Sequence, residues 1–316
     1  MIDPETITAS DIAVLQRWHV NLVRWGLHPY DKGDLTAYDN SLRAKLDRLD
    51  RMIPFFKKAG ILIVLDMHDV PGGRDSALRC RLFQDADIEQ HFCGLWDAMA
   101  TRYRGEKQIW AYDLMNEPVE GSTPAGVLNW RDLAEVTARR VRKIDPQHPI
   151  IVEPAPWAFP EALATFKPLT TPGIIYSVHM YDPHSFTHQG VDSHVFDLVY
   201  PGIVDGIPWD KARIQKDFQP VVEFAAKNRA RIYVGEFSAI RWASGAARYI
   251  EDVIDVMEQN HFDWTYHAFR EWSGWDPEVT DDRNSTETPL NPTDRMRVLQ
   301  SALARNTPLT QAQKNR

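Results

Sequence analysis

The 316-residue chain contains little cysteine, no long apolar run and no basic cluster. Its two cysteines, Cys80 and Cys93, cannot form a disulfide framework and do not have the CxxC spacing of a metal or redox motif. No stretch of about 18 apolar residues is present, which excludes a membrane-spanning helix of ordinary length. The opening residues, MIDPETITAS, lack the basic and apolar segments of a secretory signal peptide.

The balance of charge is acidic, since 36 Lys and Arg against 44 Asp and Glu give a net charge of −8. We therefore expect neither nucleic acid nor an anionic membrane as a partner. Apolar residues make up 43% and charged residues 25%, which is typical of a globular protein and excludes a disordered or coiled-coil chain. The 11 Trp, 10 Tyr and 13 Phe offer flat faces for stacking on sugars or bases, with core packing as the alternative for each ring.

Short apolar runs alternate with longer amphipathic stretches, as strands and helices do in βαβ units. The runs are rich in β-branched and aromatic residues and do not alternate strictly with polar ones, which indicates strands buried on both faces of a parallel sheet. The seven predicted strands are Val20–Leu27, Ile61–Met67, Ile109–Met115, Ile150–Glu153, Ile174–Met180, Arg231–Phe237 and Phe262–Phe269.

Apolar residues at spacings of three and four predict helices between these runs. We expect Ser10 to cap the first helix, and Pro54 to kink or split the second. The predicted helices are Ser10–Trp18, Ala37–Lys58, Ile88–Tyr103, Gly126–Ile144, Pro160–Phe166, Lys211–Asn228, Ala246–Asn260 and Thr293–Leu303.

Repeated strand–helix units without a linker predict an α/β fold, a (β/α)8 barrel, as one catalytic domain over residues 1–304. A polar C-terminal tail follows at residues 305–316. The eight helical segments accompany only seven strands. The first strand is therefore expected to be absent or replaced by the short segment Met1–Thr8.

Polar side chains follow most of the predicted strands, and the active site of such a barrel lies at these carboxyl ends. Glu117 ends the third apolar run within Asn-Glu-Pro, and Glu236 ends a later run within Gly-Glu-Phe. The two strands face each other across a barrel. Two carboxylates across a sugar-sized gap, one an acid and the other ionised, are the requirement for glycoside hydrolysis.

The chain resembles glycoside hydrolase family 5, the cellulase-type (β/α)8 enzymes of clan A. The resemblance covers about residues 20 to 275. It rests on five short motifs in family order, which are VRW around Arg24, LDMHD around His68, LMNEP around Glu117, SVHMY around His179 and Tyr181, and VGEF around Glu236.

This resemblance implies a retaining mechanism with Glu117 as acid/base and Glu236 as nucleophile. It implies that Asn116 binds the 2-hydroxyl of the sugar, and that Tyr181 keeps Glu236 ionised and oriented. Arg24 would bond Glu236 and lower its pKa, as a nearby cation does.

The same resemblance places His68 at the −1 sugar and His179 beside the scissile bond. Where these enzymes commonly present a Trp under the −1 sugar, this chain has His267. We expect Trp272 to supply the stacking face instead, with Trp275 as the alternative. Trp157, Trp209 and Trp275 are candidates for outer sugar subsites.

The function expected from this resemblance is that of an endo-β-1,4-glucanase acting on β-glucan without metal or cofactor. Export from the cell is implied by the resemblance alone, and the oligomeric state is open. Another β-glycan is the nearest alternative: mannan, xyloglucan, β-1,3-glucan or a glycolipid.

Two alternatives come from other classes of protein. One is an inactive sugar-binding barrel. The other is a metal-dependent hydrolase using Asp66, His68, Asp69 and His179, although the four histidines within residues 179–194 do not have the spacing of a known metal motif.

Overall fold

The computed structural model describes residues 1–30, 33–191, 194 and 197–306. Seven strands pair in parallel in one curled sheet and follow one another in chain order. They are β1 (Leu22–Leu27), β2 (Leu62–Met67), β3 (Ile109–Asp113), β4 (Ile150–Val152), β5 (Ile174–Met180), β8 (Arg231–Phe237) and β9 (Asp263–Trp264). An antiparallel hairpin of β6 (Gly202–Val204) and β7 (Ile207–Trp209) lies between β5 and β8 in the chain.

Helices connect the parallel strands, as expected for right-handed βαβ units. They are α1 (Ala9–Arg17), α2 (Leu35–Ala59), α3 (Ala86–Tyr103), α4 (Trp130–Ile144), α5 (His184–Thr187), α6 (Lys211–Asp217), α7 (Gln219–Asn228), α8 (Ala246–Gln259) and α9 (Asp294–Leu303). Two 3-10 turns, Arg81–Gln84 and Pro160–Ala164, complete the set within the described part of the chain.

The apolar runs of the sequence form the sheet because both of its faces are covered. One large core lies between the strands and the helices. A smaller cluster, formed by Val64, Ala111, Ile151, Ile175 and Tyr233, fills the concave side of the sheet. The predicted bounds of β5 and β8 are confirmed, whereas the last strand is only two residues long.

Three predicted helix details are wrong. Thr8, not Ser10, caps α1, since its side chain accepts a hydrogen bond from the Asp11 amide in a capping box. Pro54 does not split α2, which runs from Leu35 to Ala59 as one helix with Pro54 on its exposed face. The predicted helix over residues 211–228 is two helices that meet at Phe218.

The sheet is not closed by an eighth full strand among the described residues. Ile2 occupies that position instead and makes single parallel bridges to Trp25 in β1 and to Phe269 beyond β9. The short N-terminal segment therefore takes the place of the first strand. This is one of the two alternatives predicted from the sequence. Ile2 is buried and belongs to the large core.

The predicted tail at residues 305–316 lies almost entirely outside the described residues. Of its two described residues, Asn306 donates a side-chain hydrogen bond to the His19 carbonyl at 2.8 Å. Within the described ranges, no helix is long and apolar enough to cross a membrane.

Replacement of Ile2 by Ala should lower the free energy of unfolding by about 2–5 kcal/mol, because Ile2 is 1% exposed and joins the two edges of the sheet. Ile203→Ala is the matched control, since Ile203 is 70% exposed on the β6–β7 hairpin and should change stability by no more than about 0.5 kcal/mol. Urea unfolding measures both. Equal losses would contradict a closing role for Ile2.

Candidate active site

The parallel strands deliver polar side chains to one end of the sheet. Arg24 lies in β1, and Asn116 and Glu117 follow β3. His179 lies near the end of β5, and Glu236 near the end of β8. Because parallel strands share one direction, these groups meet at the carboxyl edge, as the sequence predicted.

Arg24 lies fully buried at the centre of the site. Its Nη1 contacts Glu236 Oε1 at 2.6 Å, and its Nη2 contacts Glu153 Oε1 at 3.0 Å. Nη2 also lies 3.0 Å from oxygens of Asp66 and Asp113. A guanidinium presents five N–H donors in a fixed plane, so one residue can hold several carboxylates in register.

The buried carboxylates around Arg24 differ in the direction of their pKa shifts. Burial and the neighbouring Glu153 raise the pKa of Asp113 well above its usual range, although Arg24 opposes this rise. Burial would also raise the pKa of Glu153, but His179 and Arg24 outweigh it and lower the value. Because the pKa of one carboxyl group rises while that of the other falls, the electrostatic repulsion within the cluster is reduced.

Glu236 is surrounded by donors and cations. Tyr181 donates a hydrogen bond to Oε2 at 2.9 Å, and Nδ1 of His267 lies 3.1 Å from the same oxygen. Burial alone would raise the pKa of Glu236. The positive charges of His179, His267 and Arg24 overcome that effect and hold its pKa well below the usual range. Glu236 is therefore an ionised carboxylate at neutral pH.

Glu117 is held in a different way. Its backbone has φ 46°, and its N–H donates to Glu153 Oε2 at 2.7 Å. Arg74 donates to the Glu117 carbonyl at 2.8 Å, and Nδ1 of His179 lies 2.9 Å from Glu117 Oε1. The Glu117 side chain is 23% exposed, compared with 5% for Glu236. Glu117 thus faces the open cleft, whereas Glu236 lies deeper in the site.

A carboxylate oxygen of Glu117 and one of Glu236 lie within 4.8 Å of each other and of a His179 nitrogen. Retaining glycosidases place their two carboxyl groups about 5–5.5 Å apart, whereas inverting ones leave about 6.5–9.5 Å for a water molecule. The spacing in this site is therefore suited to direct attack by a carboxylate on a sugar carbon.

His68 and Asn116 complete the floor of the site. Nδ1 of His68 lies 2.8 Å from Asp66 Oδ2, and its Nε2 lies 3.2 Å from the Asn116 amide nitrogen. Asn116 Oδ1 accepts a hydrogen bond from Arg24 at 3.1 Å. Both side chains are thus fixed by the same buried network that holds Glu236.

A cleft of about 620 Å³ opens above these residues. Of the predicted tryptophans, Trp157 and Trp275 line it, together with the unpredicted Phe159 and Leu78. The full lining is His68, Leu78, Glu117, Trp157, Phe159, His179, Tyr181, Asp182, His184, His188, Glu236, His267 and Trp275.

Trp272 and Trp209 do not line this cleft, contrary to the sequence prediction. Trp272 is 42% exposed and packs edge-on against Trp242 and Trp275, because the chain turns between Trp272 and Trp275. Trp209 is buried at the end of the β6–β7 hairpin, with the Arg213 guanidinium 5.0 Å above its ring. Trp275 takes the place beside His267, at a ring distance of 6.1 Å.

The residues of the alternative metal site, Asp66, His68, Asp69 and His179, do not bring their ligand atoms together as a group. Asp66 contacts Arg24 and His68, whereas Asp69 contacts His28 at 3.1 Å. His184 and His188 stack on each other at 3.9 Å in the wall of the cleft. His194, the last histidine of the predicted cluster, is exposed.

Sequence reasoning gave no role to three buried or half-buried carboxylates, Asp113, Glu153 and Glu271, of which only Glu271 was expected near the site. Glu153 ends a predicted strand, and Asp113 lies inside one, so their positions gave a usable signal. Glu271 lies four residues after His267, with its Oε2 3.1 Å from Nε2 of that ring.

Replacement of Arg24 by Met should lower the free energy of unfolding at pH 7 by about 3–5 kcal/mol, because it leaves buried carboxylates without their cation. The depressed pKa values of Glu236 and Glu153 give stability that is present above about pH 4.5 and is lost as the pH falls. The difference in the free energy of unfolding between the variant and the wild-type protein should therefore become smaller at acidic pH. Urea unfolding at several pH values measures it, with Arg43→Met on the exposed face of α2 as control. A pH-independent deficit would contradict this account.

Comparison with known proteins gives the family. Endoglucanase C of Acetivibrio thermocellus is 28% identical over 284 aligned residues, which cover 80% of this chain and 81% of that protein. Solved structures of Thermotoga maritima Cel5A superpose with a TM-score of 0.71 for the complex with cellobiose, in mutant form, and 0.72 for the complex with mannotriose.

These two structures are 24% and 23% identical to this chain and cover 94% of it, and the alignments span 89% and 90% of the Cel5A chains. They confirm the predicted barrel fold. The family model described as Cellulase (glycosyl hydrolase family 5) matches residues 2–273. This match includes the parallel strands, the motifs at their carboxyl ends and Ile2. The chain therefore belongs to glycosyl hydrolase family 5.

Proposed function

We propose that the protein is a retaining endo-β-1,4-glucanase, with Glu236 as nucleophile and Glu117 as general acid/base. The observation that carries the proposal is the close pair of carboxylates, within 4.8 Å, of which only one is surrounded by cations. Such an unequal pair is what double displacement at a glycosidic bond needs.

In the first step, Glu236 Oε attacks the anomeric carbon while the Glu117 carboxylic acid gives its proton to the leaving oxygen. A covalent glycosyl ester of Glu236 forms, and the glycosidic C–O bond breaks. In the second step, Glu117 removes a proton from water, which attacks the same carbon and releases Glu236 as a carboxylate. Two inversions leave the product with the configuration of the substrate.

The surroundings of the two residues support this division of roles. Tyr181, His267 and Arg24 fix both oxygens of Glu236, as a nucleophile requires, and keep it ionised. Glu117 is more exposed and has one oxygen against His179, so it can reach a leaving group and then a water molecule from the cleft.

The substrate proposal rests on the cleft and on the relatives. Aromatic faces at Trp157, Phe159 and Trp275 line the cleft, where they can stack on sugar rings. Endoglucanase C and the Cellodextrinase A of Ruminococcus flavefaciens are relatives, whereas Cel5A has been solved with both cellobiose and mannotriose. A β-1,4-glucan is therefore our first choice and a β-mannan the second.

We assign residues 1–304 to a single catalytic domain, because the parallel sheet and the site extend over one continuous core. We also propose that the protein acts outside the cell, since a polymeric glucan cannot cross a membrane.

The substrate assignment predicts reducing-sugar release from a soluble β-1,4-glucan such as carboxymethylcellulose, at a higher rate than from β-mannan, xyloglucan or a β-1,3-glucan. Glu236→Gln should abolish the release, because an amide cannot form the glycosyl ester. A reducing-sugar assay on the four polymers measures both effects. Faster release from mannan would move the assignment to the second choice.

A control separates loss of the nucleophile from loss of the fold. Glu236→Ala should be inactive but should turn over an activated aryl cellobioside when azide is added, and the azide product should have inverted configuration. Wild-type turnover by folded Glu236→Ala would contradict the nucleophile assignment.

The acid role of Glu117 predicts a dependence on the leaving group. Glu117→Gln should slow the cleavage of cello-oligosaccharides by about 10²–10⁴-fold, because their alkoxide leaving groups need a proton. Formation of the glycosyl-enzyme from dinitrophenyl β-cellobioside should be little affected, since dinitrophenolate leaves without one. Stopped-flow release of dinitrophenolate measures this step. Equal losses on both substrates would contradict the assignment.

A further inference from the structure

His267 lies between two carboxylates. Its Nδ1 is 3.1 Å from Oε2 of Glu236 and 2.5 Å from the Tyr181 hydroxyl. Its Nε2 is 3.1 Å from Oε2 of Glu271, on the far side of the ring. The Glu271 side chain is half-buried and reaches the ring from the loop that follows β9.

A neutral imidazole has one N–H and one lone pair, whereas an imidazolium has two N–H donors. With a carboxylate beside each ring nitrogen, a neutral His267 would turn a lone pair toward one negative charge. The arrangement therefore favours the cation. Burial lowers the pKa of His267, but Glu236 and Glu271 overcome that effect and raise it to about 9.

Other ionisable groups lie near the contacts that His267 makes with Glu236 and Glu271. Arg24 in β1 and His179 in β5 lie against Glu236, and Tyr181 contacts both Glu236 and His267. The α-amino group of Met1 also lies near Glu271, but burial lowers its pKa to about 5, so it carries little charge in the pH range of the test.

His188, in the wall of the cleft, adds no competing positive charge. Burial, with repulsion from His184 and His267, lowers the pKa of His188 to about 3, so this ring is neutral. Glu271 is thus the carboxylate that balances His267 independently of the nucleophile.

We infer that Glu271 is a positioning residue of the reaction, since it holds His267 as a cation against Glu236. This inference rests on the proposed function. Formation of the glycosyl ester removes the negative charge of Glu236, and a cation without a second partner would then tend to lose its proton. Glu271 keeps its charge through both steps, so the returning carboxylate finds His267 still protonated and in place.

The first test is the pH dependence of kcat/KM for dinitrophenyl β-cellobioside, whose leaving group makes the rate insensitive to the protonation of Glu117. In the wild-type protein, activity should persist until the pH rises through the range in which His267 loses its proton, near pH 9. In Glu271→Gln that proton is lost at lower pH, so the basic limb should move down by about one pH unit or more. Glu287→Gln removes the same charge from an exposed position of the same C-terminal region and should leave the limb unchanged.

The second test does not depend on activity. NMR of ¹⁵N-histidine-labelled protein follows the titration of the His267 ring, with His267→Gln to assign its signals. The pKa of His267 should fall by about one unit or more in Glu271→Gln. Glu271→Asp retains the charge and should restore much of the wild-type value, which also guards against a folding defect in the Gln variant.

The outcomes separate the two proposals. A lowered pKa of His267 together with a shifted basic limb supports the inference. An unchanged pKa of His267, or a lowered pKa without any change in the limb, would overturn it while leaving the glycosidase intact. Failure of folded wild-type protein to hydrolyse any β-glucoside would instead overturn the proposed function, and the role of Glu271 in the reaction with it.

Discussion

The buried guanidinium of Arg24 is the interaction on which the rest of the site depends. Four carboxylates meet in the interior of the barrel, and without a cation their burial would be strongly unfavourable. Arg24 holds the nucleophile candidate Glu236 directly. It holds Glu117 indirectly, because Glu153 contacts Arg24 with one oxygen and the Glu117 amide with the other. The positions of the two proposed catalytic glutamates are therefore linked through one residue of β1.

Burial, together with the nearby cations, determines the pKa of each carboxyl group in this arrangement. The pKa of a carboxylate rises when the group is taken out of water, as that of Asp113 does, unless cations compensate for the lost hydration. Glu236 has three such cations in Arg24, His179 and His267, and remains ionised. Glu117 lies nearer to solvent and has one imidazole beside it. The two glutamates of one site thus differ because their surroundings differ, which is the condition for an acid and a nucleophile to work together.

Much of this architecture could be predicted from the sequence, since apolar runs of β-branched residues mark buried parallel strands and the motifs at their ends identify Glu117, Glu236 and their neighbours. What could not be predicted depends on side-chain direction and on long-range packing. The turn after Trp272 directs that ring outward and brings Trp275 into the cleft. Nothing in the local sequence distinguishes the two. Likewise, Ile2 could be recognised as a substitute for a strand only once its bridges to Trp25 and Phe269 were known.

His267 shows how a departure from the family pattern alters the physics of the site. An indole at this position would offer a flat apolar face and one N–H donor. The imidazole adds a titratable group beside Glu236, the proposed nucleophile, and such a group is useful only if its charge is controlled. Keeping the imidazole charged requires a second carboxylate that takes no part in the reaction. Glu271 lies beside the ring and can serve as this carboxylate. In the proposed function, Trp275 offers the stacking surface beside the imidazole, at a ring distance of 6.1 Å. Under these proposals the two functions of one aromatic residue are divided between His267 and Trp275, and Glu271 is the residue that keeps the imidazole charged.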